Sequence, residues 1–218
     1  MRHYAPRVVI TGAADGIGRA CAEALAQTGA DLILCDKDAE ALAELSGDLD
    51  ALALNCDVSS EASVAVFAAE VAQWSPALDM LINAAGGGYE RTLGMYRVSR
   101  ALIPALDRGA RRHVLLNIPP ADRDAAKAIF PYASSHQAFE RLSAALAQEA
   151  RGTAVEVMIA CPNSLQIVPV LPDRNAGHWL DIGCGGAGAA GGLDILVTRI
   201  AALVSKPREV ELPLRRAS

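Results

Sequence analysis

Short apolar runs alternate along this chain with longer segments in which apolar residues recur every three or four positions. The runs are rich in Val, Ile, Leu and Ala, as in buried strands, and the longer segments have the periodicity of amphipathic helices. Strands joined by crossover helices pair in parallel, so the alternation predicts a single α/β domain over residues 1–218 with a doubly wound parallel sheet. The predicted strands are residues 7–11, 31–36, 51–58, 77–84, 112–118, 153–161 and 209–214, and the predicted helices are 17–27, 38–45 (ending near Gly47), 61–74, 91–106, 130–149 and 193–204.

Three glycines lie in the turn between the first predicted strand and the first predicted helix. Gly12, Gly16 and Gly18 have the spacing G-x-x-x-G-x-G. Glycine permits a tight turn and a close approach of backbone to a pyrophosphate, and the N–H groups that begin a helix point toward the phosphates. The stretch therefore predicts a dinucleotide site; an ordinary strand–turn–helix corner is the alternative.

Two carboxylates follow the next two predicted strands. Asp36 closes the second strand, roughly twenty residues beyond the glycine turn, where a carboxylate accepts hydrogen bonds from the hydroxyls of the adenosine ribose. The same charge would repel a ribose 2′-phosphate, so Asp36 favours NAD over NADP, and the neighbouring Lys37 weakens that preference. A helix cap is the alternative role for Asp36. Asp57 ends the third predicted strand, at the sheet edge where open α/β folds bind ligands.

The composition and the charge of the chain restrict the classes of binding partner and the cellular compartment that we expect. The 218 residues are 52% hydrophobic and 4% aromatic, which suits small aliphatic side chains packed between helices and a parallel sheet. The net charge of −5 without a Lys/Arg run argues against a nucleic acid partner, and no apolar run has the length of a membrane span. The five scattered cysteines are expected to be buried free thiols, and residues 1–7 lack the apolar segment of a signal peptide. These features predict a cytoplasmic protein.

Four motifs follow one another along the chain: Thr11-Gly12 with Gly16-Ile17-Gly18, then Asp36, then Asp57-Val58, then Asn83-Ala84-Ala85-Gly86. These motifs, in this order, resemble those of the short-chain dehydrogenases/reductases, a family of NAD(P)-dependent oxidoreductases with a Rossmann-type domain. The resemblance covers about residues 6–162 and is poor in the tail. It implies a homodimer or homotetramer, because helices 91–106 and 131–150 correspond to the usual interface of the family.

The resemblance also implies an NAD cofactor lying across the carboxyl edge of the sheet. The pyrophosphate would lie among the glycines, the adenosine ribose on Asp36 and the adenine beside Asp57 and Val58. Asn83 and Gly86 would line the path toward the nicotinamide. The cofactor-binding residues implied in this way are Gly12, Asp15, Gly16, Ile17, Gly18, Asp36, Asp57, Val58, Asn83 and Gly86.

The catalytic half departs from the family pattern. A helix asparagine of the family helps to hold a water in the proton relay, and Arg91, which stands in its place, cannot accept a hydrogen bond. The family's serine pair reads Pro119-Pro120, with no hydroxyl to orient a carbonyl substrate. The Tyr-x-x-x-Lys signature reads Tyr132 and His136, and a mostly neutral histidine does little to lower the pKa of a tyrosine. Tyr132 and His136 are the candidate catalytic residues, either working or inherited and idle.

Two segments are also unlike the family. The connection before helix 91–106 is shortened to residues 87–90, and residues 163–192 are a remodelled, glycine-rich region where a loop over an unknown small-molecule ligand would lie. In that region Asn163 and Ile167 stand about where the family has Gly and Thr.

The same region contains two patterns of other protein classes. Residues 180–186 look like the glycine loop of nucleoside methyltransferases, but too little chain follows for that fold. His178, Asp181 and Cys184 are spaced like metal ligands, but no second cluster accompanies them, so no metal is expected.

Three functions remain open. The first, which Pro119-Pro120 and His136 favour, is an NAD(H)-binding protein of this family without ordinary dehydrogenase activity, as an NAD sensor, a small-ligand binder or a partner subunit. The second is a divergent NAD-dependent carbonyl reductase or alcohol dehydrogenase that uses Tyr132 with His136. The third keeps the fold for assembly alone, and the glycine turn and Asp36 weigh against it.

Overall fold

The computed structural model describes residues 4–86, 88–110, 113–118, 129–161, 165–170 and 192–205, without the side chains of residues 88, 129–136 and 205. Strands and helices alternate along these ranges. In chain order they are β1 (Arg7–Thr11), α1 (Gly16–Gln27), β2 (Asp31–Asp36), α2 (Ala39–Leu49), β3 (Leu52–Asn55), α3 (Glu61–Trp74), β4 (Met80–Asn83), α4 (Gly88–Leu106), β5 (Val114–Asn117), α5 (Ile129–Glu149), β6 (Glu156–Cys161), β7 (Gln166–Pro169) and α6 (Leu193–Ser205).

The strands form one sheet in the order β3-β2-β1-β4-β5-β6-β7. The pairs from β3 to β6 are parallel, and Val9 of β1 lies opposite Ile33 of β2 and Leu81 of β4. The strand order reverses between β1 and β4. Successive crossovers therefore leave in opposite directions there, and a crevice opens at the carboxyl ends of the strands.

The sheet is covered on both faces, because alternate residues of each strand point to opposite sides. Ile10 of β1 packs in one core with Leu25 of α1, and α2 and α6 contribute to the same core. Val9 packs in the other core with Phe67 of α3, and α4 and α5 complete it. This arrangement is the Rossmann-type doubly wound α/β fold that the sequence predicts.

The structure corrects several details of the predicted elements. The sheet is not wholly parallel, since the unpredicted strand β7 runs antiparallel to β6 and pairs Ile167 with Ala160. α2 continues past Gly47 to Leu49 and is capped by Asp50, whose φ of 51° is left-handed. β3 ends at Asn55, so Asp57 lies in the loop after the strand rather than at its end.

Of the four cysteines among the described residues, three follow the prediction. Cys21, Cys35 and Cys56 are buried free thiols. Cys161, at the end of β6, is disulfide-bonded, so the expectation of a free thiol is wrong at this position.

Several predictions fall outside the described residues. These are the last strand at 209–214, the Pro119-Pro120 pair, Asn163, and the methyltransferase-like and metal-like patterns between 178 and 186. Among the helices that the structure does describe, none combines the length and the apolarity needed to cross a membrane.

Candidate nucleotide-binding site

A cavity of about 270 Å³ opens at the carboxyl ends of the strands, where the strand order reverses. Its walls come from the segments that follow four neighbouring strands, β3, β2, β1 and β4. Open α/β sheets bind ligands at this place, because the loops that leave the strands diverge there. The lining residues are Gly12, Ala14, Asp15, Cys35, Asp36, Lys37, Asp38, Ala41, Cys56, Asp57, Val58, Ala84, Ala85, Gly86 and Arg91.

The glycine turn between β1 and α1 is held by close backbone packing. A Cβ on Gly12, whose φ is +68°, would lie 2.5 Å from the backbone nitrogen of Ala85. A Cβ on Gly18 would lie 1.9 Å from the carbonyl oxygen of Gly12. Gly16 has a φ of +53° and open space around it. The side chain of Asp15, the N-cap residue, makes no capping hydrogen bond, so the start of α1 can direct its N–H groups to a ligand.

The carboxylate of Asp36 is fixed at the rim of the cavity by two backbone N–H groups. Ala14 donates to its Oδ2 and Asp38 donates to its Oδ1, both over 3.1 Å. A carboxylate has about four acceptor positions, so these two bonds leave acceptors for further donors. Asp36 therefore presents an oriented negative charge to whatever occupies the cavity.

Asp57 and Val58 form the wall beyond β3. Oδ1 of Asp57 accepts hydrogen bonds from the hydroxyl of Ser59 at 2.7 Å and from its N–H at 3.0 Å, and these bonds lower the pKa of the exposed carboxyl. Lys37 and Arg91 add smaller electrostatic contributions in the same direction. The side chain of Val58 is buried, because α4 packs on this segment.

Arg91 reaches the opposite wall from the first turns of α4. Its Nη1 donates a 2.6 Å hydrogen bond to the carbonyl oxygen of Gly86, and its side chain is partly buried. A Cβ on Gly94, one turn further on, would lie 2.4 Å from the carbonyl oxygen of Val58. The close packing at Gly94 and the hydrogen bond to Gly86 thus place Arg91 between the two walls.

Two thiols line the cavity beside the carboxylates in the sequence. Cys35 precedes Asp36, Cys56 precedes Asp57, and both side chains belong to the core on the α3 side of the sheet. A hydrogen bond from the Cys35 thiol lowers the pKa of Cys56 to about 7, and the Ser63 hydroxyl acts in the same direction. The same pairing raises the pKa of Cys35 well above its usual value.

Asn83 contributes to the frame of the site rather than to its lining. Its Nδ2 donates to Ser99 of α4 and to Oδ1 of Asn117 in β5, both over 2.9 Å. Asn117 in turn donates to Ser143 of α5 at 3.2 Å. This amide network, Asn83–Asn117 with the two serines, ties the ends of β4 and β5 to both helices. Its members are all buried, so its polar groups are satisfied within the protein.

Comparison with known proteins decides the family. The model of the short chain dehydrogenase family matches residues 6–177 of the chain. The chain belongs to the short-chain dehydrogenase/reductase family. Dehydrogenase/reductase SDR family member 7B of Bos taurus is 30% identical over 183 residues, which are 71% of this chain and 56% of the bovine protein. The chain therefore spans little more than half the length of that relative.

A bacterial relative and a solved structure agree with this result. The rhamnolipids biosynthesis 3-oxoacyl-(acyl-carrier-protein) reductase of Pseudomonas aeruginosa is 31% identical over 180 residues, which are 71% of this chain and 70% of that protein. The structure of the Pseudomonas aeruginosa RhlG/NADP active-site complex superimposes with a TM-score of 0.70 at 24% identity, over 91% of this chain and 88% of that one. At that identity the superposition establishes the fold alone. Members of the short-chain dehydrogenase/reductase family bind nicotinamide dinucleotides at this edge of the sheet.

The structure brings together six of the ten residues assigned to the cofactor by family resemblance. Ile17 and Gly18 belong to α1 below the turn, Gly16 stands outside the cavity lining, and Asn83 is engaged in the amide network. The six that line the cavity are Gly12, Asp15, Asp36, Asp57, Val58 and Gly86.

The candidate catalytic residues are placed only by their backbone. Residues 132 and 136 both fall within α5, one turn apart, so they share a face of that helix. The cavity residues that the sequence did not single out as ligand contacts include Cys35, Cys56 and Arg91. Their role depends on contacts between distant segments, and only the departure of Arg91 from the family motif marked it in the sequence.

Proposed function

We propose that this member of the short-chain dehydrogenase/reductase family binds NAD(H) in preference to NADP(H) and lacks ordinary dehydrogenase activity. The observation that carries the cofactor preference is the Asp36 carboxylate, held at the cavity rim by the N–H groups of Ala14 and Asp38. Hydroxyls of an adenosine ribose would donate to its remaining acceptor positions. A 2′-phosphate would meet the same charge at close range and be repelled.

The remaining lining fits a dinucleotide. The positive φ of Gly12 and the uncapped start of α1 suit a diphosphate at the turn. Asp57 and Val58 suit an adenine on the far side of Asp36 from that turn. When bound, the nicotinamide ring supplies hydride transfer chemistry, and the residues of this chain bind and orient the cofactor. The homodimer or homotetramer stays a prediction, to be checked by light scattering.

The loss of ordinary activity is proposed from the sequence of the catalytic half. Pro119-Pro120 offer neither a hydroxyl nor an N–H where the family pattern has serines, and His136 replaces the lysine that lowers the pKa of the tyrosine. Removing one such group from an enzyme typically costs about a hundredfold in rate. A small ligand over the remodelled region 163–192 is part of the same proposal.

Calorimetric titration with NAD, NADH and NADPH tests the cofactor preference. We expect NADH to bind about tenfold or more tightly than NADPH to the wild type. Asp36→Ser should reduce the difference between the NADH and NADPH affinities, because it removes the negative charge and keeps a hydrogen-bond acceptor. Asp31→Ser, at the other end of β2, is the matched control and should leave the difference between the two affinities unchanged. Equal binding of NADH and NADPH to the wild type would overturn the preference.

A divergent reductase is the second candidate function. The continuous helix α5 puts residues 132 and 136 on one face, which is the arrangement that a tyrosine and its partner need. The Pseudomonas aeruginosa relative is by name a 3-oxoacyl reductase, so carbonyl compounds are the substrates to screen with NADH. Stereospecific NADH oxidation that Tyr132→Phe abolishes and His136→Ala weakens would establish this function instead of the first.

A further inference from the structure

We propose that Arg91 is a nucleotide-binding residue that neutralises the diphosphate of the bound cofactor. This inference rests on the proposed function, since it concerns the same cavity. It starts from the charge distribution in the lining. Four carboxylates and two cations contribute to the described lining, and they are Asp15, Asp36, Asp38, Asp57, Lys37 and Arg91.

The carboxylates leave little of the cavity to a negatively charged ligand group. Asp36, Asp38 and Asp57 occupy the wall formed by the ends of β2 and β3, and Lys37 lies among them. A diphosphate is repelled by that wall, so the opposite wall, where β1 and β4 end, is the favourable place for it. Asp15 is the one carboxylate of that wall among the described lining residues, and the uncharged residues Gly12, Ala84, Ala85 and Gly86 line the rest of it.

Arg91 is the cation at that wall. The described contacts give its guanidinium one hydrogen-bond acceptor, the carbonyl oxygen of Gly86. Its charge acts on Asp57 through space, but no carboxylate of the described residues forms an ion pair with it. A guanidinium carries five N–H donors, so most of them remain for a ligand. The paired N–H donors of a planar guanidinium match the paired oxygens of a phosphate.

The packing of α4 keeps this cation in position. Gly94 allows the helix to lie directly against Val58, and Nη1 of Arg97 donates to the carbonyl oxygen of Ser59 at 3.0 Å. The guanidinium is therefore presented on a helix that is fixed to one wall while it bonds to the other. Such preorganisation lowers the entropic cost of ligand binding.

The test compares Arg91→Gln with Arg100→Gln, the matched control from the same helix, whose guanidinium pairs with Glu149 outside the cavity lining. Calorimetry is done on each full-length variant with NADH, ADP and adenosine, and the melting temperature of each is measured. We expect Arg91→Gln to weaken NADH and ADP about tenfold or more and to leave adenosine unchanged. Arg91→Lys should retain part of the affinity, and Arg100→Gln should retain all of it.

Each other outcome has a definite meaning. Equal NADH and ADP affinity in wild type and Arg91→Gln would overturn this proposal and leave the proposed function intact. A parallel loss of adenosine binding would show that Arg91 only supports the Gly86 segment, which also overturns it. A wild type that binds none of the three ligands would overturn the proposed function and this inference together. A preference for NADPH would overturn the NAD preference alone, because the ADP comparison would still measure Arg91.

Discussion

At the scale of single residues, the thiol pair Cys35–Cys56 is the most unusual feature of the cavity. Each thiol precedes an aspartate of the lining in the sequence, and a hydrogen bond from Cys35 lowers the pKa of Cys56. Thiolate is the reactive form of cysteine, so the lowered pKa of Cys56 favours its reaction over that of the equally buried Cys21 near neutral pH. Cys21 is the opposite case, since burial alone raises its pKa to about 12.

This difference predicts the order in which the thiols react. We expect iodoacetamide to modify Cys56 before Cys21, with a rate that rises as the pH increases through about 7. Cys35→Ala removes the stabilising donor and should slow the reaction of Cys56 at pH 7, and bound NADH should slow it in the wild type by filling the cavity. Peptide mass spectrometry over a pH series measures these rates. The same rate at Cys56 in wild type and Cys35→Ala would show that the hydrogen bond does not activate it.

At the scale of elements, glycines inside helices decide how closely each helix approaches the sheet. Gly18 and Gly94 let α1 and α4 touch backbone of the cavity walls, whereas Gly47 of α2 has nothing within 4 Å of its missing Cβ. The first two are required by packing. The third only weakens its helix, because glycine is a poor helix former.

Alanine substitutions separate these two situations. Gly94→Ala should cost about 1–3 kcal/mol of unfolding free energy, because its Cβ meets the carbonyl of Val58 and α4 must shift. Gly47→Ala should gain about 0.5–1 kcal/mol from helix propensity alone. Chemical denaturation of both variants measures the changes. A neutral Gly94→Ala would mean that α4 has room to move away from the wall.

The elements themselves were predictable where the pattern is local. β1 and β2 are continuous apolar runs that end at Thr11 and Asp36, and their bounds follow directly from the sequence. β7 was not predictable, since it has four residues, ends at Pro169 and exists through antiparallel pairing with β6. The end of α2 was predicted too early because glycine was taken as a stop, whereas Asp50 supplies the left-handed cap.

At the scale of the whole molecule, hydrogen bonds tie two segments that are distant in sequence at the amino ends of β1 and β4. The hydroxyl of Tyr4 donates to Oδ2 of Asp79 over 2.6 Å, and the N–H of Arg7 donates to the same oxygen over 2.9 Å. Asp79 precedes β4 and is buried, so the tie holds the entry of β1 against the entry of β4. Burial and the hydrogen bond to Asp79 raise the pKa of Tyr4 to about 12.

The tie predicts a pH dependence of stability. Below about pH 10 the Tyr4 phenol is neutral in both states, so its contribution is fully present. As the pH rises from about 10 to about 12 the unfolded chain ionises first, so this contribution is lost. Tyr4→Phe should cost about 1 kcal/mol at pH 8 and reduce the loss above pH 10. Tyr89→Phe, at an exposed tyrosine, is the control, and identical alkaline unfolding of wild type and Tyr4→Phe would contradict the prediction.

The site was predictable to the extent that its residues follow strands. Gly12 came from the glycine turn after β1, Asp36 from its place at the end of β2, and Gly86 from the family resemblance, and all three line the cavity. Asn83 was assigned to the cofactor path, yet its amide is engaged with Ser99 and Asn117, which are distant in the sequence. Arg91 lines the cavity because α4 packs against the cavity walls. The helical pattern of the sequence does not show where a helix packs.

The turn between β1 and α1 changes how its own glycines should be interpreted. Gly12 faces the backbone of Ala85, and Gly18 faces the carbonyl of Gly12, so both are demanded by the way the chain packs on itself. A related protein that no longer bound a nucleotide would still need these two glycines in order to fold. Gly16 has open space around it, but its φ of +53° also favours glycine, whereas Asp36 lies at the rim and is not required by the core. Substitution at Asp36 would therefore be the first sign in a relative that the nucleotide is no longer used.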